Sequence, residues 1–233
     1  MKFPLQIINE HLFIELRDGL YLIDTGAAGS FSQSLAVCFS DEHSYSVPNE
    51  FLGVNCALLD KYIHCESAGL IGANLLSKFA LGINLSQGCL VLEDAFQADD
   101  FKQKPQFFEL NFQLRQSLLL MEFEVENKML RLFVDTGAPS SYLQPDFEGG
   151  VAKGKVSDFH PFIGAFESEN RSCELLIGSN QHQWDFALMP EALNRAVASA
   201  EGQGLMGLDL FRNYEIWIDY QNKKAFLNSV QHR

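Results

Sequence analysis

The sequence of 233 residues has few basic residues and no long apolar segment. Lys and Arg number 17 against 30 Asp and Glu, so the formal net charge is −13. A chain this acidic lacks the basic surface that neutralises phosphates, which argues against a nucleic-acid partner. No run of about 18 apolar residues occurs, and the first residues contain no apolar signal-peptide core, so we expect neither membrane insertion nor secretion.

Cysteine is scarce, and common metal and nucleophile motifs are missing. The five cysteines include no CxxC pair, the six histidines show no zinc-like spacing, and no GxSxG occurs. An odd number of cysteines without a pairing pattern is typical of a reducing compartment. We therefore expect a cytoplasmic protein with buried or idle thiols and without a metal site.

Two stretches of the chain each predict a β-hairpin that ends in the same motif. In the first, HLFIEL and LYLID flank Arg-Asp-Gly, and in the second, LLLMEFEV and MLRLFVD flank Glu-Asn-Lys. Each hairpin ends on an aspartate, Asp24 or Asp135, and continues as Thr-Gly-Ala. The same local structure is therefore predicted twice in one chain.

A second pair of similar segments follows these motifs. GLIGANLLSKFALGINL resembles GLMGLDLFRNYEIWIDY, which aligns Gly72 with Gly207. We interpret the chain as an internal duplication, with a first half of residues 1–100 and a second half of residues 101–233. The polar, proline-bearing segment DAFQADDFKQKPQ between them is the expected linker.

Duplicated aspartates have a chemical use. Two carboxyl groups held face to face cannot both ionise at low cost, so one keeps a proton where the other is charged. A pseudo-two-fold axis between the halves would bring Asp24 and Asp135 together. The threonines that follow can hydrogen-bond across to the other half, and the glycines let amides approach the carboxylates; these residues are Thr25, Thr136, Gly26 and Gly137.

These motifs resemble those of the aspartic peptidases. That family combines apolar-apolar-Asp-Thr-Gly with a later apolar-apolar-Gly in each half, here LIDTGA with GLIG and FVDTGA with GLMG. Ala27, Ala138 and the small halves are similar to the retropepsin type, whereas the covalent duplication is similar to pepsin. The resemblance implies a mostly β fold of two pseudo-symmetric small barrels, each with a short helix, and a cleft between them.

The resemblance also implies an activity and a set of site residues. The protein would be an aspartic endopeptidase that acts as a monomer, an intramolecular pseudodimer, on a peptide or protein substrate and needs no cofactor. Asp24 and Asp135 would be catalytic, and Gly72 and Gly207 would support the two active-site loops. The alternatives are a non-catalytic peptide-binding protein of the same fold, a turn-forming role for the two aspartates, and the duplicated phosphate loops of the actin-like kinase fold.

The second half carries additional sequence between its aspartate and its later glycine. The interval is 72 residues there and 48 residues in the first half. Within it, FIGAFESENRSCELLIG predicts a hairpin with a polar tip at Glu167 to Arg171, and PEALNRAVASAEG predicts a short helix. We expect this hairpin to be a single flap over the cleft, with Phe162, Gly164 and Phe166 near the substrate; a core role for the two phenylalanines is the alternative.

The sequence departs from the family at two pairs of positions. Retropepsins usually have Arg directly after the later glycine, where this chain has Ala73 and Leu208. Pepsins have a hydroxyl side chain where this chain has Ala27 and Ala138. Because neither alanine side chain can donate a hydrogen bond to the ionised carboxylate, we expect activity to peak at a mildly acidic pH of about 5 to 6.

Overall fold

A computed structural model describes residues 1–94, 101, 104 and 106–230 of the chain. The described part is mostly β. Its strands are β1 (Lys2–Ile8), β2 (His11–Leu16), β3 (Gly19–Ile23), β4 (Phe31–Ser32), β5 (Ala36–Cys38), β6 (Ser44–Ser46), β7 (Glu50–Phe51), β8 (Val54–Asn55), β9 (Gly69–Ile71), β10 (Ala80–Asn84), β11 (Cys89–Glu93), β12 (Phe107–Arg115), β13 (Leu118–Val125), β14 (Lys128–Val134), β15 (Ser141–Leu143), β16 (Val151–His160), β17 (Gly164–Ile177), β18 (Asn180–Leu188), β19 (Gly204–Met206), β20 (Tyr214–Asp219) and β21 (Lys224–Ser229).

Helices lie between these strands in the described part of the chain. They are α1 (Cys56–Ile63), α2 (Ala73–Leu76), α3 (Glu191–Ser199) and α4 (Leu208–Asn213). The helices α2 and α4 directly follow the later glycine of each half, and α3 follows Pro190, so the three short helices predicted from the sequence are confirmed. None of the described helices is long and apolar enough to cross a membrane.

Both predicted hairpins are present, and each extends into the same three-strand arrangement. In the first half, β2 pairs with β3, which runs parallel to β9 with Ile23 opposite Ile71. In the second half, β13 pairs with β14, which runs parallel to β19 with Val134 opposite Met206. Each aspartate therefore leaves the end of a strand that is hydrogen-bonded to the later apolar-apolar-Gly segment.

Side-chain alternation explains why these hairpin strands are almost wholly apolar. Neighbouring residues of a strand point to opposite faces. In β2, Leu12 and Ile14 enter the main core while Phe13 enters a smaller apolar cluster of the first half. In β14, Leu132 enters the main core while Phe133 enters a corresponding cluster of the second half. Strands covered on both faces have mostly apolar sequences, and here the apolar runs are interrupted by a few charged residues such as Glu15 and Arg131.

A shared sheet joins the two halves. The central contact is antiparallel pairing of β10 with β20, which places Gly82 opposite Trp217. A Cβ atom on Gly82 would lie 2.9 Å from the Trp217 ring, so the glycine lets the indole pack against the backbone. The pairing is continuous across the halves; that each half closes into a barrel of its own, and that a domain boundary falls near residue 100, stay predictions. Most of the predicted linker, residues 95–100, 102, 103 and 105, lies outside the described residues.

The predicted hairpin within FIGAFESENRSCELLIG is wrong in its position. Those residues form the single long strand β17, and Glu167 to Arg171 pair along β16 instead of forming a tip. The turn lies at residues 161–163, before Gly164, whose φ of +83° is accessible to glycine at low cost. The other strand, VAKGKVSDFH, has few β-branched or aromatic residues and mostly exposed side chains, so its sequence gives little strand signal.

Candidate active site

Asp24 and Asp135 are held in the same way at the ends of their strands. The Asp24 amide donates to the Ile71 carbonyl at 3.0 Å, and the Asp135 amide donates to the Met206 carbonyl at 2.9 Å. Each aspartate is thus the first residue beyond its strand and is fixed by the strand beside it. Its side chain is free to leave the sheet toward the other half.

The two motif threonines join the halves through reciprocal hydrogen bonds. The Thr25 amide donates to Thr136 Oγ1, and the Thr136 amide donates to Thr25 Oγ1, both at 3.0 Å. Each hydroxyl in turn donates to a carbonyl of the opposite half, that of Val134 at 2.8 Å and that of Ile23 at 2.7 Å. All four groups are satisfied in a buried place, so the threonines lock the relative position of the aspartates.

The two motif glycines allow each loop to close against the aspartate of the other half. A Cβ atom on Gly26 would lie 2.1 Å from Asp135 Cγ, and one on Gly137 would lie 2.5 Å from Asp24 Cγ. Any side chain here would collide with the opposite carboxyl group. The structure therefore brings the two aspartates together across the interface of the halves.

Backbone amides of the same loops bind one oxygen of each carboxyl group. Asp24 Oδ1 accepts from the amides of Gly26 at 2.9 Å and Ala27 at 2.8 Å. Asp135 Oδ1 accepts from those of Gly137 at 2.8 Å and Ala138 at 3.3 Å. The second oxygen of each group is not used by these loops.

Burial raises the pKa of both carboxyl groups, and the neighbouring Asp135 raises that of Asp24 further. For Asp24, burial has the largest effect, the charge of Asp135 and a hydrogen bond with it add to the rise, and the pKa lies well above the usual range. For Asp135, burial also raises the pKa, but the Gly137 amide and the hydrogen bond with Asp24 oppose the rise. Two interacting carboxyls titrate as a unit, so one proton is shared by the pair over a wide pH range.

Gly72 and Gly207 support these loops from behind. A Cβ atom on Gly72 would lie 2.5 Å from the Gly29 carbonyl oxygen, and one on Gly207 would lie 2.3 Å from that of Ser140. The next residue of each copy donates its amide to the loop, Ala73 to the Ala27 carbonyl and Leu208 to the Ala138 carbonyl, both at 2.8 Å. Close backbone contact thus supports each loop at the position where retropepsins have Arg.

Two serines, absent from the sequence-based prediction, complete this support. Ser30 Oγ accepts from the Gly72 amide at 2.8 Å, and Ser141 Oγ accepts from the Gly207 amide at 3.0 Å. Their hydroxyls donate to different partners, Ser30 to Asn74 Oδ1 at 2.6 Å and Ser141 to Asp209 Oδ1 at 2.9 Å. Both serines lie six residues after their aspartate, so alignment of the two copies could have found them.

A cavity of about 350 Å³ opens above the two aspartates. On one side it is lined by apolar residues of the first half, and on the other by apolar residues of the second half, including Phe31, Phe51, Leu59, Phe133, Leu193 and Val197. The carboxyl pair lies between two apolar walls. The cavity therefore suits an extended ligand that has apolar groups on both sides of a polar group.

The end of the β16–β17 hairpin, residues 158–166, covers this cavity and is called the lid below. Phe162 and Phe166 line the cavity, whereas Gly164 follows the turn and is not part of the lining. Contact of these residues with a substrate stays a prediction. Phe162 is 62 % exposed, which excludes the alternative that it is a core residue. Phe166 packs against Tyr142, with ring centroids 6.3 Å apart, and belongs to the second-half wall.

The lid reaches across to the first half. Phe159 stacks on Tyr62 of α1 with ring centroids 4.8 Å apart and 9° between the planes, and its edge contacts His11. The first half also contributes to the cavity wall, through Phe51 and Leu52 of the short hairpin β7–β8. The expectation that only the second half supplies a hairpin to this site is therefore incomplete.

The comparisons with known proteins were made on sequence and on structure. No family model matches the sequence, and no curated protein matches it. An aspartic proteinase from Irpex lacteus aligns with 99 % of this chain and 97 % of its own, with 12 % identity and a TM-score of 0.52. Basic 7S globulin from soybean aligns with 99 % and 95 %, with 10 % identity and a TM-score of 0.53. A retropepsin-like aspartic protease from Rickettsia conorii aligns with 53 % and 90 %, with 14 % identity and a TM-score of 0.35.

The fold is that of the aspartic proteases. At this level of identity the likeness concerns the chain path and leaves the chemistry of the site to be argued from its own residues. Within the described ranges, no group of three or more His, Cys, Asp or Glu side chains is placed to hold a metal ion.

Three polar residues that the sequence analysis did not find line the same cavity as the two aspartates. Asp158 of the lid accepts hydrogen bonds from the Tyr142 hydroxyl and from the Phe159 amide, the latter at 2.7 Å. His11 and His160 line the same cavity, and burial lowers the pKa of both. Asp158 and His160 belong to β16 of the second half and His11 belongs to β2 of the first, so no local motif of the sequence could have indicated the group.

Proposed function

We propose that the protein is an aspartic endopeptidase that hydrolyses peptide bonds with a water molecule activated by Asp24 and Asp135. The observation that carries the proposal is the convergence of the two carboxyl groups, each packed against the motif glycine of the other half. The reciprocal threonine hydrogen bonds support it, because they fix the pair with little freedom to separate.

The raised pKa values are suited to acid and base catalysis by one pair of residues. The ionised carboxylate accepts a proton from water as its oxygen attacks the carbonyl carbon, and the protonated carboxyl donates to the carbonyl oxygen. The product of this step is a neutral tetrahedral diol. A carboxyl proton then passes to the amide nitrogen, and one diol hydroxyl gives its proton back to a carboxylate of the pair as the C–N bond breaks. A new carboxyl and a new amine terminus leave, and the pair again holds one proton.

The cavity walls support a peptide as the substrate. Apolar surfaces on both sides of the carboxyl pair can bury the side chains next to the scissile bond, and each buried CH₂ group contributes about 0.8 kcal/mol. The lid lies over the same cavity, where it can exclude water from the reacting groups. Because one chain supplies both aspartates and both walls, we further propose that the monomer is the active form.

The test is incubation of the pure protein with a mixed-peptide library from pH 3 to 8, followed by mass spectrometry of new termini. We expect cleavage with a maximum at the mildly acidic pH of about 5 to 6 predicted from Ala27 and Ala138. The raised pKa of both carboxyl groups favours an optimum above that of an unperturbed pair. The matched controls are Asp24→Asn and Asp135→Asn. Peptide retention without new termini at any pH would favour the non-catalytic peptide-binding alternative.

A further inference from the structure

An aromatic ring lies at the same place in the cavity wall of each half. Phe31 and Tyr142 each follow their aspartate by seven residues. Each is paired with the leucine two residues before the later glycine of its half, Phe31 with Leu70 and Tyr142 with Leu205. Both rings are buried and line the cavity. The two equivalent positions therefore differ by one group, the phenolic hydroxyl of Tyr142.

This hydroxyl binds the lid. It donates to Asp158 Oδ2, while the Asp158 Oδ1 accepts from the Phe159 amide at 2.7 Å. A hydrogen bond to a carboxylate is about twice as strong as one between neutral groups. Phenylalanine has no such donor, so of these two wall positions the hydroxyl occurs in the half that supplies the lid.

The next lid residue is held by the other half. Phe159 stacks on Tyr62 of α1, with ring centroids 4.8 Å apart and 9° between the planes. Neighbouring strand residues point to opposite faces, which lets Asp158 contact the second-half wall while Phe159 contacts the first half. The lid is thus held on both sides of the cavity at its base. The turn beyond this base carries Phe162, which is largely exposed.

We propose that Tyr142 is a positioning residue whose hydroxyl ties the lid to the second-half wall and keeps it over Asp24 and Asp135. The hydrogen bond to Asp158, called the tether below, acts at the base of the lid and leaves the turn beyond it free to admit a substrate. This role rests on the proposed function, whereas the order of the lid can be measured without turnover.

The tether has a kinetic consequence. When a peptide binds tightly only under the closed lid, its apparent affinity is reduced by the fraction of molecules in which the lid is closed. Loss of the tether lowers that fraction and raises KM. Once the peptide is bound, the lid is closed in either case, so kcat should change little.

The test variant is Tyr142→Phe, which keeps the ring that packs against Phe166 and removes the hydroxyl alone. The matched control is Tyr21→Phe. Tyr21 is also buried, and its hydroxyl also donates to a carboxylate, Asp18 Oδ2, at 2.7 Å. Because Tyr21 is not part of the cavity lining, its variant removes a similar hydrogen bond away from the lid.

The first experiment measures amide hydrogen exchange of the lid in the protein without substrate. Two lid amides report on its order, that of Phe159 and that of Ile163, which donates to the His160 carbonyl at 3.0 Å. Both should exchange about tenfold faster in Tyr142→Phe, the factor expected for loss of one hydrogen bond to a charged group. They should be unchanged in Tyr21→Phe. Unchanged exchange in Tyr142→Phe, or an equal increase in both variants, would overturn the proposal.

The second experiment compares kcat and KM on a peptide cleaved by the unaltered protein. In Tyr142→Phe we expect KM to rise about tenfold and kcat to stay within about twofold. Because the hydroxyl acts through Asp158, Tyr142→Phe should add no further rise in the Asp158→Ala background. Additive effects of the two substitutions would contradict the tether.

The outcomes of the two experiments are separable. A raised KM in Tyr142→Phe with unchanged lid exchange would mean that the hydroxyl acts on the peptide itself, which would overturn the proposal. If the unaltered protein cleaves no peptide, the proposed function fails, and the exchange rates still decide whether Tyr142 holds the lid.

Discussion

The two halves of the molecule hold their aspartates in the same framework but in different surroundings. In both, an aspartate ends a hairpin strand, the threonine crosses to the other half, and a serine hydroxyl accepts from the amide of the later glycine. The serine of the first half then donates to a neutral amide, Asn74, and that of the second half to an acid, Asp209. Positions at the interface of the halves are alike because each serves both aspartates, and positions behind the loops serve only one.

The cavity walls differ more than the framework. The second half contributes the long hairpin β16–β17 and the helix α3, and the first half contributes the short hairpin β7–β8 and α1. The lid residue Phe159 nevertheless belongs by its contacts to the first-half cluster. One long hairpin of the second half can therefore cover a cavity made by both halves, because the first half supplies the surface on which Phe159 packs.

The largest expected effect concerns the aspartates, which occur in both halves. Asp24→Asn and Asp135→Asn should each lower kcat/KM by at least about 10³-fold, since the two carboxyls act as a unit. Both should fold, because the Asn Oδ1 can still accept from the loop amides that bind Asp24 Oδ1 and Asp135 Oδ1. Activity is measured on a cleaved library peptide, and folding by circular dichroism. An active single variant would show that the halves are not equivalent in the reaction.

The reciprocal threonine bonds should matter equally from either side. Thr25→Val leaves the Thr136 amide and the Val134 carbonyl buried without partners, and Thr136→Val does the same to the Thr25 amide and the Ile23 carbonyl. Each variant should lose about 2 to 4 kcal/mol of unfolding free energy. Urea denaturation measures the loss. A difference of more than about 1 kcal/mol between the two would disprove the energetic equivalence of the halves.

Much of this framework could be predicted because it is local and occurs twice. The strands before Asp24 and Asp135 are largely apolar, and the roles of the threonines and glycines follow from their place beside the aspartates. The serines at 30 and 141 were also within reach of an alignment of the copies. Because each motif occurs in both copies, an interpretation made for one copy could be checked against the other.

The lid and its polar groups could not be predicted in the same way. The strand β16 is largely exposed and polar, so its hydrophobic pattern shows neither its length nor the place of the turn. His11 and His160 belong to different halves and meet at the cavity only in the folded chain. Their roles depend on burial and on the charge of nearby carboxyls, which are properties of tertiary structure.

The next prediction concerns Asn74 and Asp209, the different partners of the two serine hydroxyls behind the loops. Burial raises the pKa of Asp209 to about 6, so this group favours the folded state below its unfolded pKa and loses that contribution as the pH rises through about 6. At pH 8, Asp209→Asn should therefore be more stable than the unaltered protein by about 2 kcal/mol, and at pH 4 the two should be equal. Asn74→Asp should show the opposite change at pH 8. Thermal unfolding at both pH values measures this, and a less stable Asp209→Asn at pH 8 would contradict it.

The smallest expected effect concerns the relative importance of the two hairpins at the cavity, β16–β17 and β7–β8, for kcat/KM. Phe159→Ala removes the stacking contact with Tyr62 that holds the lid on the first half. An aromatic pair of this kind contributes about 0.5 to 1.5 kcal/mol beyond area burial, so closure should weaken and kcat/KM should fall by up to about tenfold. Leu52→Ala truncates an exposed side chain at the tip of β7–β8 and should lower kcat/KM by less than about threefold, while Leu35→Ala, an exposed leucine outside the cavity lining, is the control. Because Phe159 acts by docking the lid, Tyr62→Ala should match Phe159→Ala, and the double variant should lose no more than either single one. A larger loss in Leu52→Ala than in Phe159→Ala would make the short hairpin the more important cover of the site.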